Sequence, residues 1–339
     1  MTDCIVDKAK ERIDFVSWIQ FIGVICVIAG HSINELPVPE IFIQIKYWIY
    51  TFHMPLFFLV SAFLFSYKGG FEKKGYKSVF LNRFIRLIIP YVIWNLLFFI
   101  PKVLLKDYIS DEVEISGSYF LEITLYPRNT ILGHTWFLFA LFEMFVLAIF
   151  FELVKKRRIL WIPLTIVLVV LYCFGVQERF LAVGDLMKNA FYFWIGLLLG
   201  TVKIESLIKY GKDKFLFIAC ALLVIGLSVV WAFFPNMLIN TMLLGLSILI
   251  FLCLIQIQLG FSFRYMNFVS KNCFPIYILH WPIMMLIRLL IYTKLSWNPI
   301  LVSAILLACG LAIPSLIVWV LRMNRIKWLN SVFHIVLGM

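Results

Sequence analysis

Charge is what this sequence has least of. Asp, Glu, Lys and Arg make up 14% of the 339 residues, whereas soluble domains carry about a quarter. With 63% of residues hydrophobic and 17% aromatic, the mean hydropathy reaches +0.99, more apolar surface than a water-soluble core absorbs. A cysteine framework is missing as well. The seven cysteines (Cys4, Cys26, Cys173, Cys220, Cys253, Cys273 and Cys309) are odd in number, scattered, mostly inside apolar runs and never spaced CxxC, so neither a disulfide scaffold nor a zinc site follows. The sequence also shows no internal repeat, no low-complexity tract and no small-residue cleavage site after Ser32. Its basic start followed by an apolar run therefore reads as a first membrane span, not as a signal peptide.

What is present is a series of apolar runs of about 20 residues, the length a helix needs to cross hydrocarbon. They fall at 16–33, 41–66, 80–101, 135–152, 159–176, 189–202, 215–234, 237–257, 272–292 and 299–321. The expected fold is all-α: a polytopic integral membrane bundle of about ten transmembrane helices forming one domain over 1–339, with short tails at 1–14 and 322–339. Summing Lys and Arg on alternate sides of this map puts 22 of the 30 on one side. Positive residues accumulate in short cytoplasmic loops, so both termini are expected inside and the long acidic loop 102–134 outside. The net charge of +12 is thereby explained by topology; it forms no continuous basic face, and no nucleic-acid partner is expected.

Ionisable and amide side chains are costly in hydrocarbon and usually face the bundle interior or a cavity. In the first run, WIQFIGVICVIAGH, Gln20 and His31 are eleven residues apart, about three turns and 16 Å along one helical face, with Ser17 a turn below Gln20. That stripe suits a helix lining a channel; a satisfied structural histidine is the alternative. His53 lies near the outer end of the second run and His134 enters the fourth from outside, so His31, His53 and His134 could form a cluster of imidazoles. Three histidines also suit a metal, but no carboxylate or cysteine accompanies them at a recognised spacing, and no metal is expected. In NRFIRLIIPY, Arg83 and Arg86 share a helical face and could grip phosphates with bidentate hydrogen bonds, or serve as positive-inside anchors. Lys73, Lys74 and Lys77 beside them favour a polyanion or anionic membrane lipids. In SKNCFPIYILHWPIMMLIR, His280 falls about 13 Å along the helix from Lys271, near mid-membrane. Tyr277 lies one turn away and Pro282 loosens the backbone.

Taken together, five segments in order resemble a bacterial membrane acyltransferase family, the family-three O-acetyltransferases of surface sugars: WIQFIGVICVIAGHS, HMPLFFLVSAFLF, RFIRLIIPYVIW, HTWFLFAL and FPIYILHWPI. The resemblance implies residence in the bacterial cytoplasmic (inner) membrane, no bound cofactor, acetyl-CoA or another acyl-CoA as co-substrate, and a sugar or glycan acceptor. On that reading His31 is the general base on the acceptor hydroxyl. Arg83 and Arg86 hold CoA phosphates, with Gln20 a further donor contact, and His53, His134, Trp136, Tyr277 or His280 orient the acceptor or polarise the carbonyl. The chain departs from the family pattern at Gln20, where Arg or Lys is usual, at Ser17, often Asp, and at Ala62, usually Gly. A transporter or exporter of a glycan, a receptor or structural membrane protein, and a non-catalytic relative are the competing readings; matching half-repeats with broken helices, frequent in transporters, are not seen.

Overall fold

The structure is a computed structural model and describes residues 14–104, 121, 124–174, 179–203, 206–207, 213–233, 245, 248–251, 264–323, 332–333 and 335–338. Every regular element among the described residues is helical, as hydrocarbon demands of a chain whose backbone groups must find partners within their own segment. The main helices are α1 (Asp14–Ser32), α2 (Glu40–Tyr67), α3 (Tyr76–Arg83, continued through a π-helical turn, Phe84–Ile88, into Ile89–Leu104) and α4 (Trp136–Lys155). They continue with α5 (Trp161–Phe174), α6 (Val183–Leu199), α7 (Lys214–Phe233), α8 (Arg264–Lys271), α9 (Cys273–Arg288) and α10 (Pro299–Met323).

Among the described residues, seven stretches are long and apolar enough to cross a membrane: Phe15–Ser32, Glu40–Tyr67, Tyr76–Pro101, Gly133–Lys155, Lys214–Phe233, Cys273–Thr293 and Pro299–Met323. The spans expected at 159–176 and 189–202 are helical but shorter, as α5 with 14 residues and α6 with 17. Most of the span expected at 237–257, apart from 245 and 248–251, and most of the loop 102–134 lie outside the described residues. α6 begins at Val183, ahead of the expected 189, and so takes in Lys188 and Asp185, the latter paired with Arg128. The windows of α1, α2 and α4 are each 56% buried whereas that of α7 is 6% buried, so the first three are far more enclosed by the described residues than α7.

The helices divide into two compact units. The first holds α1, α2, α7, α8 and the C-terminal half of α6 from Tyr192. Its centre is aromatic: the rings of Phe15, Phe63 and Phe251 meet pairwise at 5.7–5.9 Å, in the tilted and edge-on arrangements that aromatic pairs prefer. α6 packs on α2 at backbone distance. A Cβ at Gly196 would stand 2.2 Å from the Leu59 carbonyl oxygen, and one at Gly200 2.6 Å from that of Phe63, the small-xxx-small device that replaces hydrophobic driving force between helices in lipid.

The second unit holds α3, α4, α5, the first half of α6, α9, α10 and the loop Asn34–Pro37. α3 and α4 interlock through Tyr91 on Phe139 at 5.6 Å and Phe80 on Phe142 at 5.4 Å. The π-turn sits just ahead of Pro90, whose ring would clash with the carbonyl of Arg86 in a regular α-helix; widening the turn there relieves the clash. Near the C-terminus, Trp94 Nε1 donates to the Val336 carbonyl at 2.8 Å and Arg86 Nε to that of Gly338 at 3.1 Å. Gly338 is required at its place: φ is +60°, and a Cβ would meet the Phe274 ring at 2.2 Å.

Candidate functional site

In the first unit, α1 presents Ser17, buried, with Gln20 and His31 half-buried further along. The aromatic neighbour of His31 is Tyr50 of α2, at 6.4 Å between ring centroids, and Tyr50 also neighbours His53 at 5.1 Å. Gly30 explains the approach: a Cβ there would lie 2.4 Å from the Tyr50 ring, so the glycine preceding His31 admits the tyrosine. His53 is buried, and its Nδ1–H donates to the Ile49 carbonyl at 2.8 Å, the carbonyl being able only to accept. That bond fixes the tautomer, with the proton on Nδ1 and the lone pair on Nε2. His31 and His53 thus share Tyr50 as a ring neighbour.

His134 groups instead with residues of the second unit. It lies in an irregular stretch before α4 with two single-turn 3-10 helices: Pro127–Asn129, exposed at Arg128 and Asn129, and Gly133–Thr135, where His134 and Thr135 are buried. Non-helical backbone at membrane depth survives only where protein supplies partners, and Asn95 of α3 supplies them. Fully buried, its Nδ2 donates to the Tyr91 carbonyl at 2.8 Å and to Thr135 Oγ1 at 3.0 Å, while its Oδ1 accepts from the Leu132 N–H at 3.1 Å. Tyr277 of α9 adds its hydroxyl, donated to the His134 carbonyl. The His134 ring is 5.2 Å from that of His280, 5.5 Å from Tyr277 and 6.1 Å from Trp281. Pro282 has no N–H for the carbonyl of Ile278, so the helix lacks one of its own backbone bonds beside this group. His280 is itself oriented, its Nδ1–H donating to the Tyr277 carbonyl.

Trp136, at the first position of α4, is half-buried with the guanidinium of Arg128 stacked 4.0 Å over its ring. Arg128 is fixed in turn by a bidentate pair with Asp185, at 2.5 and 2.7 Å, a geometry that aligns both planar groups. The two arginines of α3 have separate surroundings. Arg83 lies over the Phe145 ring at 3.8 Å, whereas Arg86 is exposed and reaches Gly338, the π-turn having altered the spacing that would set them on one α-helical face. Lys73, Lys74 and Lys77 are all exposed.

The sequence reading missed Tyr50, Asn95, Arg128 and Asp185. Tyr50 was signalled by its place three residues before His53, and Asn95 by being an amide inside an apolar run; the Arg128–Asp185 pair joins residues 57 apart and carried no local mark.

Each unit thus holds histidines with defined neighbours: His31 and His53 beside Tyr50 in the first, and His134 and His280 beside Tyr277 in the second. A family model described as an acyltransferase domain matches residues 13–319, nearly the whole chain. The chain belongs to this family, acyltransferase family 3, and is a multi-pass membrane acyltransferase. No curated protein and no solved structure matches it.

Proposed function

We propose that this acyltransferase moves an acetyl group from acetyl-CoA, bound from the cytoplasm, to a hydroxyl of a cell-surface polysaccharide, glycolipid or lipid-linked sugar at the bacterial inner membrane, with both chain termini inside. One observation carries the choice of His31 as base: of the four described histidines, His53, His134 and His280 are buried and His31 alone is half-open, and a base must meet its substrate. Neutral His31 takes the acceptor hydroxyl's proton as that oxygen attacks the thioester carbonyl. The tetrahedral intermediate then expels the CoA sulfur, the C–S bond breaks, and the imidazolium returns its proton to the sulfur. Arg83 and Arg86 are assigned to the CoA phosphates and Gln20 to an amide or carbonyl of the thioester arm. His53, Trp136, His134, Tyr277 and His280 are assigned to holding the acceptor or polarising the carbonyl.

The test is transfer of labelled acetyl from acetyl-CoA to membrane sugars by the intact protein and by His31→Ala. Equal incorporation by both would remove His31 from the chemistry. A second reading, a relative without transferase activity, rests on Gln20 and Ser17, where the family pattern has a cation and an acid; it predicts no label from either form, together with CoA binding indifferent to Arg83→Ala/Arg86→Ala.

A further inference from the structure

Away from these histidines, α4, α5 and α6 of the second unit enclose a cavity of about 610 Å³ with no polar lining. Its volume lies within the range of ligand pockets. Leu147, Phe151 and Val154 of α4, Leu164 and Leu168 of α5, and Ala190 of α6 are among its walls. It also reaches Leu160, so two of its walls, Val154 and Leu160, bracket the turn that joins α4 to α5. That turn is strongly basic. Lys155 is occupied by Glu152 at 2.7 Å, but Lys156, Arg157 and Arg158 are exposed. The turn is also stiffened at its aromatic edge: Trp161 Nε1 donates to the Lys155 carbonyl at 3.0 Å, and the Arg158 guanidinium lies 6.0 Å from the Trp161 ring. Tryptophan prefers the headgroup level, so the basic turn sits where a lipid phosphate would be.

We propose that this cavity is a binding site for one anionic phospholipid, an acyl chain filling the space between α4, α5 and α6 while the phosphate rests on Lys156, Arg157 and Arg158. Two features select this occupant. A wholly apolar cavity opening among lipid-facing residues such as Ile162 and Val167, 72% and 53% exposed, offers nothing to a polar substrate. Three cations at one mouth complement a negatively charged headgroup and attract it within about a Debye length. The site stands apart from the acyl-transfer reading and survives its failure.

Native mass spectrometry of the full-length protein in detergent tests it, with phosphatidylglycerol and phosphatidylcholine of identical chains titrated in parallel. One phosphatidylglycerol is expected to be retained in preference to phosphatidylcholine, and Arg157→Gln/Arg158→Gln is expected to weaken it by roughly tenfold or more. Leu164→Trp, which narrows the cavity, and dihexanoyl phosphatidylglycerol, which cannot fill it, each separate chain binding from headgroup binding: both are expected to lower retention, while glycerol phosphate alone does not compete. Equal retention of the two lipids, indifference to the arginine substitutions, or undiminished binding of the short-chain lipid would each overturn the proposal. Circular dichroism and an unchanged elution volume confirm that the variants are folded.

Discussion

The histidines of the two units are held in opposite ways. In the first unit His31 is half-open with a tyrosine ring beside it, and its neighbour His53 is fixed by a single bond to its own helix. In the second, His134 and His280 are 7% and 0% exposed, meet edge to face at 5.2 Å, and stand on a scaffold of Asn95, Thr135 and Tyr277. The difference separates access from precision. A group that exchanges protons with an incoming hydroxyl must be reachable, while groups that shape a pocket gain from being locked by packing and hydrogen bonds.

The largest expected effect breaks the comparison on its open side. His31→Ala should lower acetyl transfer by about 10²–10⁴-fold, the usual worth of a positioned general base, with thermal stability in detergent almost unchanged because the side chain is half-open. If His31→Ala unfolds the protein instead, His31 belongs with the structural histidines and the contrast fails. On the locked side the expectation reverses. Asn95→Leu leaves the Leu132 N–H without its acceptor and removes the bond to Thr135; at roughly 1–3 kcal/mol for an orphaned buried group, destabilisation of about 3 kcal/mol is expected, measurable as a large fall in melting temperature. Transfer activity should drop only in proportion to folded protein lost, plus whatever follows from displacing His134.

Arg128→Gln comes next. It leaves the Asp185 carboxylate, 9% exposed against 42% for the arginine, without its bidentate partner, and it uncovers the Trp136 ring. Because one partner is partly in solvent, the cost should be about 2 kcal/mol, below that of a fully buried pair. Asp185→Asn in the Arg128→Gln background tests the assignment: once the charge is removed with its partner, part of the lost stability should return.

Helices and their membrane character were legible in the sequence because apolar length alone specifies them. The stripe of Ser17, Gln20 and His31 was legible too, since one helix supplies its period. Three things were not. The π-turn at Phe84–Ile88 is a response to Pro90, and the sequence shows the proline but not the way the strain is relieved. The single-turn helices before α4 have no period to read; they exist because Asn95, far away in sequence, satisfies their backbone. The start of α6 was missed because Asp185 and Lys188 interrupt the apolar run, and a charge inside a helix looks like one that ends it.

The smallest effect concerns an ion pair at the loop after α1. Arg288 contacts Glu35 at 2.6 Å and donates to the Asn34 carbonyl at 3.0 Å. Glu35 is 44% exposed, and pairs of that kind contribute about 0–1 kcal/mol. Its backbone has φ of +59°, a left-handed conformation costing a residue with a Cβ about 1–2 kcal/mol. Glu35→Gly therefore loses the ion pair and gains the freedom of glycine, and the two nearly cancel; stability should change by less than about 1 kcal/mol. Glu35→Ala keeps the strain and loses the pair, so it should be the less stable of the two by roughly 1 kcal/mol. Comparing their melting temperatures isolates the backbone contribution. Equal values would mean that the left-handed backbone at this position costs a side chain little, and the contribution assigned to the conformation would fall.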